Sequence, residues 1–279
     1  MKTENKLQKA IQEKGTLIAA HRGSSAGNIP FNTMEAFEAA LYQGADILET
    51  DVIISKDGEL FVFHTGKEKQ HLNQDIRLEE MTGDEIRKLR YVNFDNDLTD
   101  YHIPSLDEFL DAFKDRCFIN LDHGWPFLPQ VIDAVRRHGI EDHVIIKSPG
   151  KMEYAKIMEV LAPEMMFMPI YKEKDEMTEQ LEQMNINFIG AEVVFAKEDS
   201  LLASAEYMEA HHKKGRILWV NSILYYYKAQ LSGGHSDDVA MTGNPENGWG
   251  WLVDKGFDIV QTDWVLPLKH FIETRKRRS

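Results

Sequence analysis

Short, wholly apolar runs, each followed by an amphipathic stretch, recur along this chain, and that alternation limits the fold more than any other feature. A strand covered on both faces reads as a continuous apolar run, whereas a strand with one wet face alternates. Eight such runs occur, at residues 17–20, 47–54, 117–121, 144–146, 166–170, 188–192, 217–220 and 259–261. Helical spacing fills the intervals at 33–43, 106–114, 128–138, 152–161, 177–184, 201–213 and 248–255. A last helix is expected over 267–274, with Pro267 at its first position. In the first helix Met34, Phe37 and Leu41 share a face, with Asn32 placed as N-cap and Glu35 as its N3 partner. Eight strand–helix units predict an α/β chain folded as a (β/α)8 TIM barrel, a single domain over residues 1–279. A doubly wound open sheet is the competing arrangement, but no strand leads into a Gly-rich dinucleotide fingerprint.

One stretch breaks the rhythm. The second run continues through Asp57-Gly58, a hairpin signal between apolar segments, into Leu60-Phe61-Val62-Phe63-His64. The polar stretch beyond it, reaching Ser105, is too long for an ordinary strand-to-helix loop. Residues 52–105 are therefore expected to form a small insertion between strand two and its helix, over the C-terminal mouth of the barrel. A second irregular segment, residues 232–247, is expected to be a lid or a long loop.

Charge removes several function classes. The chain carries 46 acidic and 32 basic side chains, a formal charge of −14. A phosphate backbone demands a basic footprint, so nucleic acid is not an expected partner. No run approaches the roughly 18 apolar residues of a membrane helix, and no secretory leader is visible, so no membrane insertion and a cytoplasmic location are expected. The single cysteine, Cys117, excludes an internal disulfide and a Cys-rich metal site. Oligomeric state is open. The basic tail Arg275-Lys276-Arg277-Arg278 is expected to be a solvated chain end.

Polar residues at strand C-termini stand out, because those ends form the floor of a barrel's active site. Here they are His21-Arg22, Glu49 and Asp51, Asp122-His123, Lys147, Glu192 and Asn221, with His64 ending the hairpin arm. Glu49 and Asp51, two apart in a strand, project on one face. Two buried anions repel unless neutralised. A hard divalent cation can do this, with Asp122 as a third oxygen ligand; Arg or Lys partners from adjacent strands are the equal alternative. Two imidazoles suit acid–base work near neutral pH, and the planar fork of Arg22 suits a phosphate.

These residues resemble a known family. His21-Arg22-Gly23, Pro30-Phe31-Asn32-Thr33, the segment from Gly44 to Val52, Asp57-Gly58 and Phe63-His64 are similar to the motifs of glycerophosphodiester phosphodiesterases. So are Ile103-Pro104-Ser105-Leu106-Asp107-Glu108, Trp219-Val220-Asn221 and the stretch from Gly256 to Asp263, in the family's order. The resemblance implies a barrel with this insertion, His21 and His64 as the acid–base pair, and Arg22 on the phosphate. It further implies Glu49, Asp51 and Asp122 as ligands of one divalent cation, Mg²⁺ or Ca²⁺, and Trp219 at the substrate. The implied reaction cleaves a small-molecule glycerophosphodiester to an alcohol and glycerol phosphate: the substrate's own hydroxyl attacks phosphorus, and water opens the cyclic phosphate.

The chain also departs from the pattern. Phe31 stands where the family has Glu, Thr65 where it has Asp after the second histidine, and Asp122-His123-Gly124 where it has Glu-x-Lys. Lys147, at the neighbouring strand end, is the expected replacement for that lysine's charge on the substrate. Three other readings stand beside the hydrolase. A lyase of the same superfamily would stop at the cyclic phosphate. A carbohydrate-active barrel would use the strand-end carboxylates with Trp125, Trp219, Trp249, Trp251 and Trp264 as sugar platforms. A non-catalytic binding protein would have kept the barrel and lost turnover.

Overall fold

Eight parallel strands close on themselves in the computed structural model, which describes residues 6–226 and 228–277. In chain order the strands are β1 (Leu17–His21), β2 (Ile47–Ile54), β3 (Leu60–Val62), β4 (Phe118–Asp122) and β5 (Val144–Pro149). They continue with β6 (Met166–Lys172), β7 (Asn187–Phe188), β8 (Gly190–Val194), β9 (Ile217–Asn221) and β10 (Ile259–Thr262). The ring runs β1-β2-β4-β5-β6-β8-β9-β10 and back to β1, where Leu17 pairs with Ile259 and His21 with Glu49. All eight expected strands are present. The sixth is displaced: Asn187–Phe188 only bridges to β6, and the ring strand proper begins at Gly190.

Period two along each strand sorts the side chains. Leu17, Ala19, Ile47, Ile145, Met166, Met168, Ile217, Trp219 and Ile259 form one apolar cluster inside the ring. Leu7, from the helix Lys6–Lys14, joins that cluster and is fully buried. This helix had no counterpart in the sequence reading. The larger cluster lies between the ring and the surrounding helices and includes Phe37, Phe109, Val131, Val135, Met158 and Leu268. Continuing each inward series toward the C-terminal end replaces apolar residues by polar ones: Ala19 is followed by His21, Ile47 by Glu49 and Asp51, Ile145 by Lys147.

Several helix boundaries differ from expectation. Thr33, not Asn32, caps the helix Met34–Gln43, its hydroxyl accepting from the Ala36 amide. The expected helix at 177–184 shrinks to Thr178–Leu181, and that at 201–213 splits into Leu201–Ala203 and Ala205–His212. The last helix is Val265–Lys276, which puts Pro267 at its third position, still within the first turn where its missing N–H is harmless. Tyr227, and Arg278 of the basic tail, lie outside the described residues. No described helix is long and apolar enough to cross a membrane.

The insertion has its own small core. β3 pairs antiparallel with the end of β2, Val52 opposite Val62. Ile53, Phe61, Phe63, Leu72, Leu78, Ile86, Tyr91 and Ile103 cluster apart from the barrel interior. Each such buried side chain contributes roughly 1.5–3 kcal/mol. That anchoring fixes the chain leading to His64 instead of leaving it as a mobile loop.

Candidate active site

The inward polar series converge at the C-terminal mouth. Ligand atoms of Glu49, Asp51 and Asp122 lie within 4.8 Å of one another. One oxygen of each is already engaged: Glu49 Oε2 accepts from the Arg22 amide, Asp51 Oδ2 from Asn32 Nδ2, and Asp122 Oδ1 from the His123 amide. Among the described residues the second oxygen of each accepts no hydrogen bond. Burial foremost, then Asp51 and Asp122, pushes the Glu49 carboxyl well above its ordinary pKa. Burial also raises Asp122, with Glu192 adding to it against His123 and Lys147. Asp51 is buried as deeply, but Arg22, His64, His123 and His21 outweigh that and hold it below the usual carboxylate value. Three converging acids, two of them resisting ionisation, form a donor set that a hard cation fits.

Arg22 Nε lies 2.8 Å from Asp51 Oδ2, a coulombic contact not aligned as a hydrogen bond. Asp51 is thus half-neutralised by protein, the alternative the sequence left open, while among the described residues Glu49 and Asp122 have no cationic side chain in direct contact. The terminal nitrogens of Arg22 donate to no described protein group. Three residues at the mouth hold left-handed backbone without being glycine: Arg22 (φ 57°), Asn32 (φ 57°) and His123 (φ 56°). For Arg and His this costs on the order of 1–2 kcal/mol each. Gly23 follows Arg22 at φ 79°, and a Cβ there would meet the Ala36 backbone at 2.6 Å, so the turn admits only glycine.

The histidines are oriented from different sources. His21 is buried, and its Nδ1 donates to Asp263 Oδ1 over 2.8 Å. His64 Nδ1 donates to the Thr65 carbonyl at 2.8 Å, so main chain supplies the acceptor that orients this ring. Burial foremost, then Arg22 and His123 against Asp51, brings the His64 pKa down to about 4, so it is neutral at physiological pH. The ring beside His64 is His123, 4.6 Å between centroids, and Trp125 lies 4.7 Å beyond it. His21 instead borders Phe31 and Tyr225, at 6.1 and 6.2 Å.

Lys147 and Trp219 are placed differently from the sequence expectation. Lys147 Nζ sits 3.1 Å from the centroid of the Trp219 ring and donates to Glu192 Oε2 at 2.7 Å. Asn221 Nδ2 engages the other Glu192 oxygen at 2.7 Å, and Trp219 Nε1 donates to Gln261. Both Lys147 and Trp219 are buried to within 1% of full cover, so neither presents surface to a ligand. The Lys147 charge reaches Glu49 and Asp122 only through space. Beside this floor opens a cavity of about 750 Å³, walled by Asp122, His123, Trp125, Tyr171, Glu192 and Tyr225. Of the five tryptophans only Trp125 lines it.

Sequence reasoning missed four participants. Asp263 closes the last strand and was visible in the terminal Thr-Asp. Asn32 looked like a helix cap but donates to Asp51 and accepts from Thr50. His123 was named among the polar strand ends but given no role beyond marking the loss of a lysine. Asp237 lies in the segment 232–247, which is neither lid nor loose loop: its buried carboxylate accepts from Ser222, Trp249, Thr262 and the Asp263 amide.

Comparison with known proteins bears on the fold that carries this site. A sequence family described only as a domain of unknown function matches residues 167–272. A glycerophosphodiester phosphodiesterase of Caldanaerobacter subterraneus is 35% identical over 141 residues, 48% of this chain and 58% of that protein. The chain therefore matches little more than half the length of that relative. The crystal structure of a glycerophosphoryl diester phosphodiesterase from Parabacteroides distasonis aligns with a TM-score of 0.74 at 20% identity, covering 93% of this chain and 87% of the other. An Oleispira antarctica phosphodiesterase, solved with its product sn-glycerol-3-phosphate, aligns with a TM-score of 0.67 at 17% identity, over 92% and 96% of the two chains. These likenesses establish the barrel, and several of the curated relatives and structural neighbours carry the name glycerophosphodiester phosphodiesterase.

Proposed function

We propose that this chain is a divalent-cation-dependent phosphodiesterase that cleaves small glycerophosphodiesters to an alcohol and glycerol phosphate. The observation that carries the reading is the meeting, at one barrel mouth, of three acids with free oxygens and two imidazoles held through Nδ1 by different acceptors. Glu49, Asp51 and Asp122 would hold the cation, Mg²⁺ or Ca²⁺, which supplies charge neutralisation for the phosphate oxygens. The unengaged nitrogens of Arg22 take a second phosphate oxygen, oriented by the contact of Nε with Asp51.

His64 suits the base, because burial keeps its Nε2 lone pair free at neutral pH. It takes the proton from the glycerol hydroxyl as that oxygen bonds to phosphorus. His21, held through Nδ1 by Asp263, gives a proton from Nε2 to the leaving alcohol as its P–O bond breaks. In the second half the roles reverse. His21 takes a proton from the attacking water, and His64 returns its proton to the glycerol oxygen as the cyclic ester opens. The alcohol side of the substrate is assigned to the cavity beside Trp125 and Tyr171.

The test is hydrolysis of glycerophosphocholine, glycerophosphoethanolamine and glycerophosphoinositol with Mg²⁺ or Ca²⁺, with and without EDTA. Turnover of at least one diester, abolished by EDTA and restored by the cation, is expected. No turnover on any of them, or turnover indifferent to EDTA, overturns the reading. Running the reaction in ¹⁸O-labelled water separates hydrolysis, which labels the phosphate, from a lyase that stops at the cyclic product.

A further inference from the structure

The acids of the mouth belong to two groupings that share one member. Beside the all-oxygen set, ligand atoms of Asp51, His64 and His123 also lie within 4.8 Å of one another. We propose that Asp51, His64 and His123 form a second cation site, of mixed nitrogen and oxygen chemistry, that takes Zn²⁺ beside the hard-cation site. Two imidazoles and one carboxylate are a zinc-type donor set, whereas three carboxylates favour Mg²⁺ or Ca²⁺.

Geometry prepares each ligand. His64 donates Nδ1–H to the Thr65 carbonyl, which fixes the tautomer and leaves Nε2 with its lone pair; metal-bound histidines are held in this way. His123 Nε2 faces Asp51 Oδ1 at 3.8 Å, too far for a hydrogen bond, and neither atom hydrogen-bonds to any described group. The His123 ring is held between His64 and Trp125, and its left-handed backbone (φ 56°) turns it toward Asp51. Asp51 Oδ2 is taken by Arg22 and Asn32, so Oδ1 is the oxygen left, and it would bridge this site and the hard-cation site. Both imidazoles are only partly buried, which leaves an entry path from the cavity that His123 lines. The position following Asp122, read from sequence as part of a lost lysine motif, thus carries a ligand. A cation bound there occupies the His64 lone pair that the proposed reaction uses as a base, so the site couples soft-cation supply to the acid–base pair.

The test uses metal alone and no substrate, so it stands or falls apart from the phosphodiesterase reading. The chelator-stripped full chain is saturated with Mg²⁺ and titrated with Zn²⁺ by calorimetry, and with Co²⁺ as a visible-absorbing stand-in. One further equivalent of Zn²⁺ is expected, with a Co²⁺ spectrum marking nitrogen ligation. Since losing even an outer partner of a ligand weakens binding by roughly 10–100-fold, His123→Ala and, independently, His64→Ala should weaken Zn²⁺ at least that much and leave Mg²⁺ binding unchanged. Glu49→Gln should do the reverse. Zn²⁺ uptake indifferent to both histidine variants means binding elsewhere on the surface and overturns the proposal. So does Zn²⁺ that Mg²⁺ displaces one for one, which means a single common site.

Discussion

The two flanks of the barrel mouth solve the problem of buried charge in opposite ways. On the β1–β2 flank, Arg22, Glu49 and Asp51 each keep a donor or acceptor unengaged at the mouth, although Arg22 Nε and Asn32 hold one Asp51 oxygen and Asp263 holds His21. From β5 round to β9 the polar groups are closed on one another: Lys147 and Asn221 saturate Glu192, and Trp219 covers the lysine. The first flank is left with unmet charge, which is what a cation and a phosphate can use. The second gives a floor whose buried charges are paired within the protein, with Asn221 Oδ1 left unpartnered beside the cavity. The difference teaches that a polar strand end marks a site only when its neighbours in the ring fail to satisfy it.

The largest effect expected from breaking this contrast is on the open flank. Asp263→Asn removes the carboxylate that orients His21 and should lower kcat by roughly two to four orders of magnitude with little change in KM. A variant whose steady-state kinetics stay within a few-fold of the parent would mean that His21 needs no such partner. On the closed flank, Lys147→Met leaves Glu192 buried with only Asn221. Removing one partner of a buried pair costs about 3–5 kcal/mol, which denaturant unfolding would register. An unchanged midpoint would show that Glu192 does not depend on the lysine.

The smallest effect concerns the insertion. Burial, then Arg22 and Lys67, lowers the His71 pKa to about 4, against 6.5 when unfolded. Between those values the unfolded chain binds more protons, so this contribution to stability is complete above pH 6.5. It is lost as pH falls toward 4. Melting temperatures from pH 7.5 to 4 should fall less steeply in His71→Asn than in the parent; equal slopes would sink this assignment.

Sequence alone determined the barrel and much of the open flank. Continuous apolar runs report strands covered on both faces, and period two then forces Glu49 and Asp51 inward together whatever surrounds them. His21, Arg22 and His64 were legible for the same reason, as polar residues at the ends of apolar strands. Tertiary structure alone decided how those charges pair. Lys147 carries the same signature in the sequence as Arg22, yet Glu192 and Trp219, 45 and 72 positions away, consume its charge. Asn32 became a donor to Asp51 because the cap fell one residue later, and His123 meets His64 and Asp51 only because β4 ends against the hairpin arm. Period along a strand is a local property of the backbone, whereas satisfaction of a buried charge depends on which strands close the ring beside it.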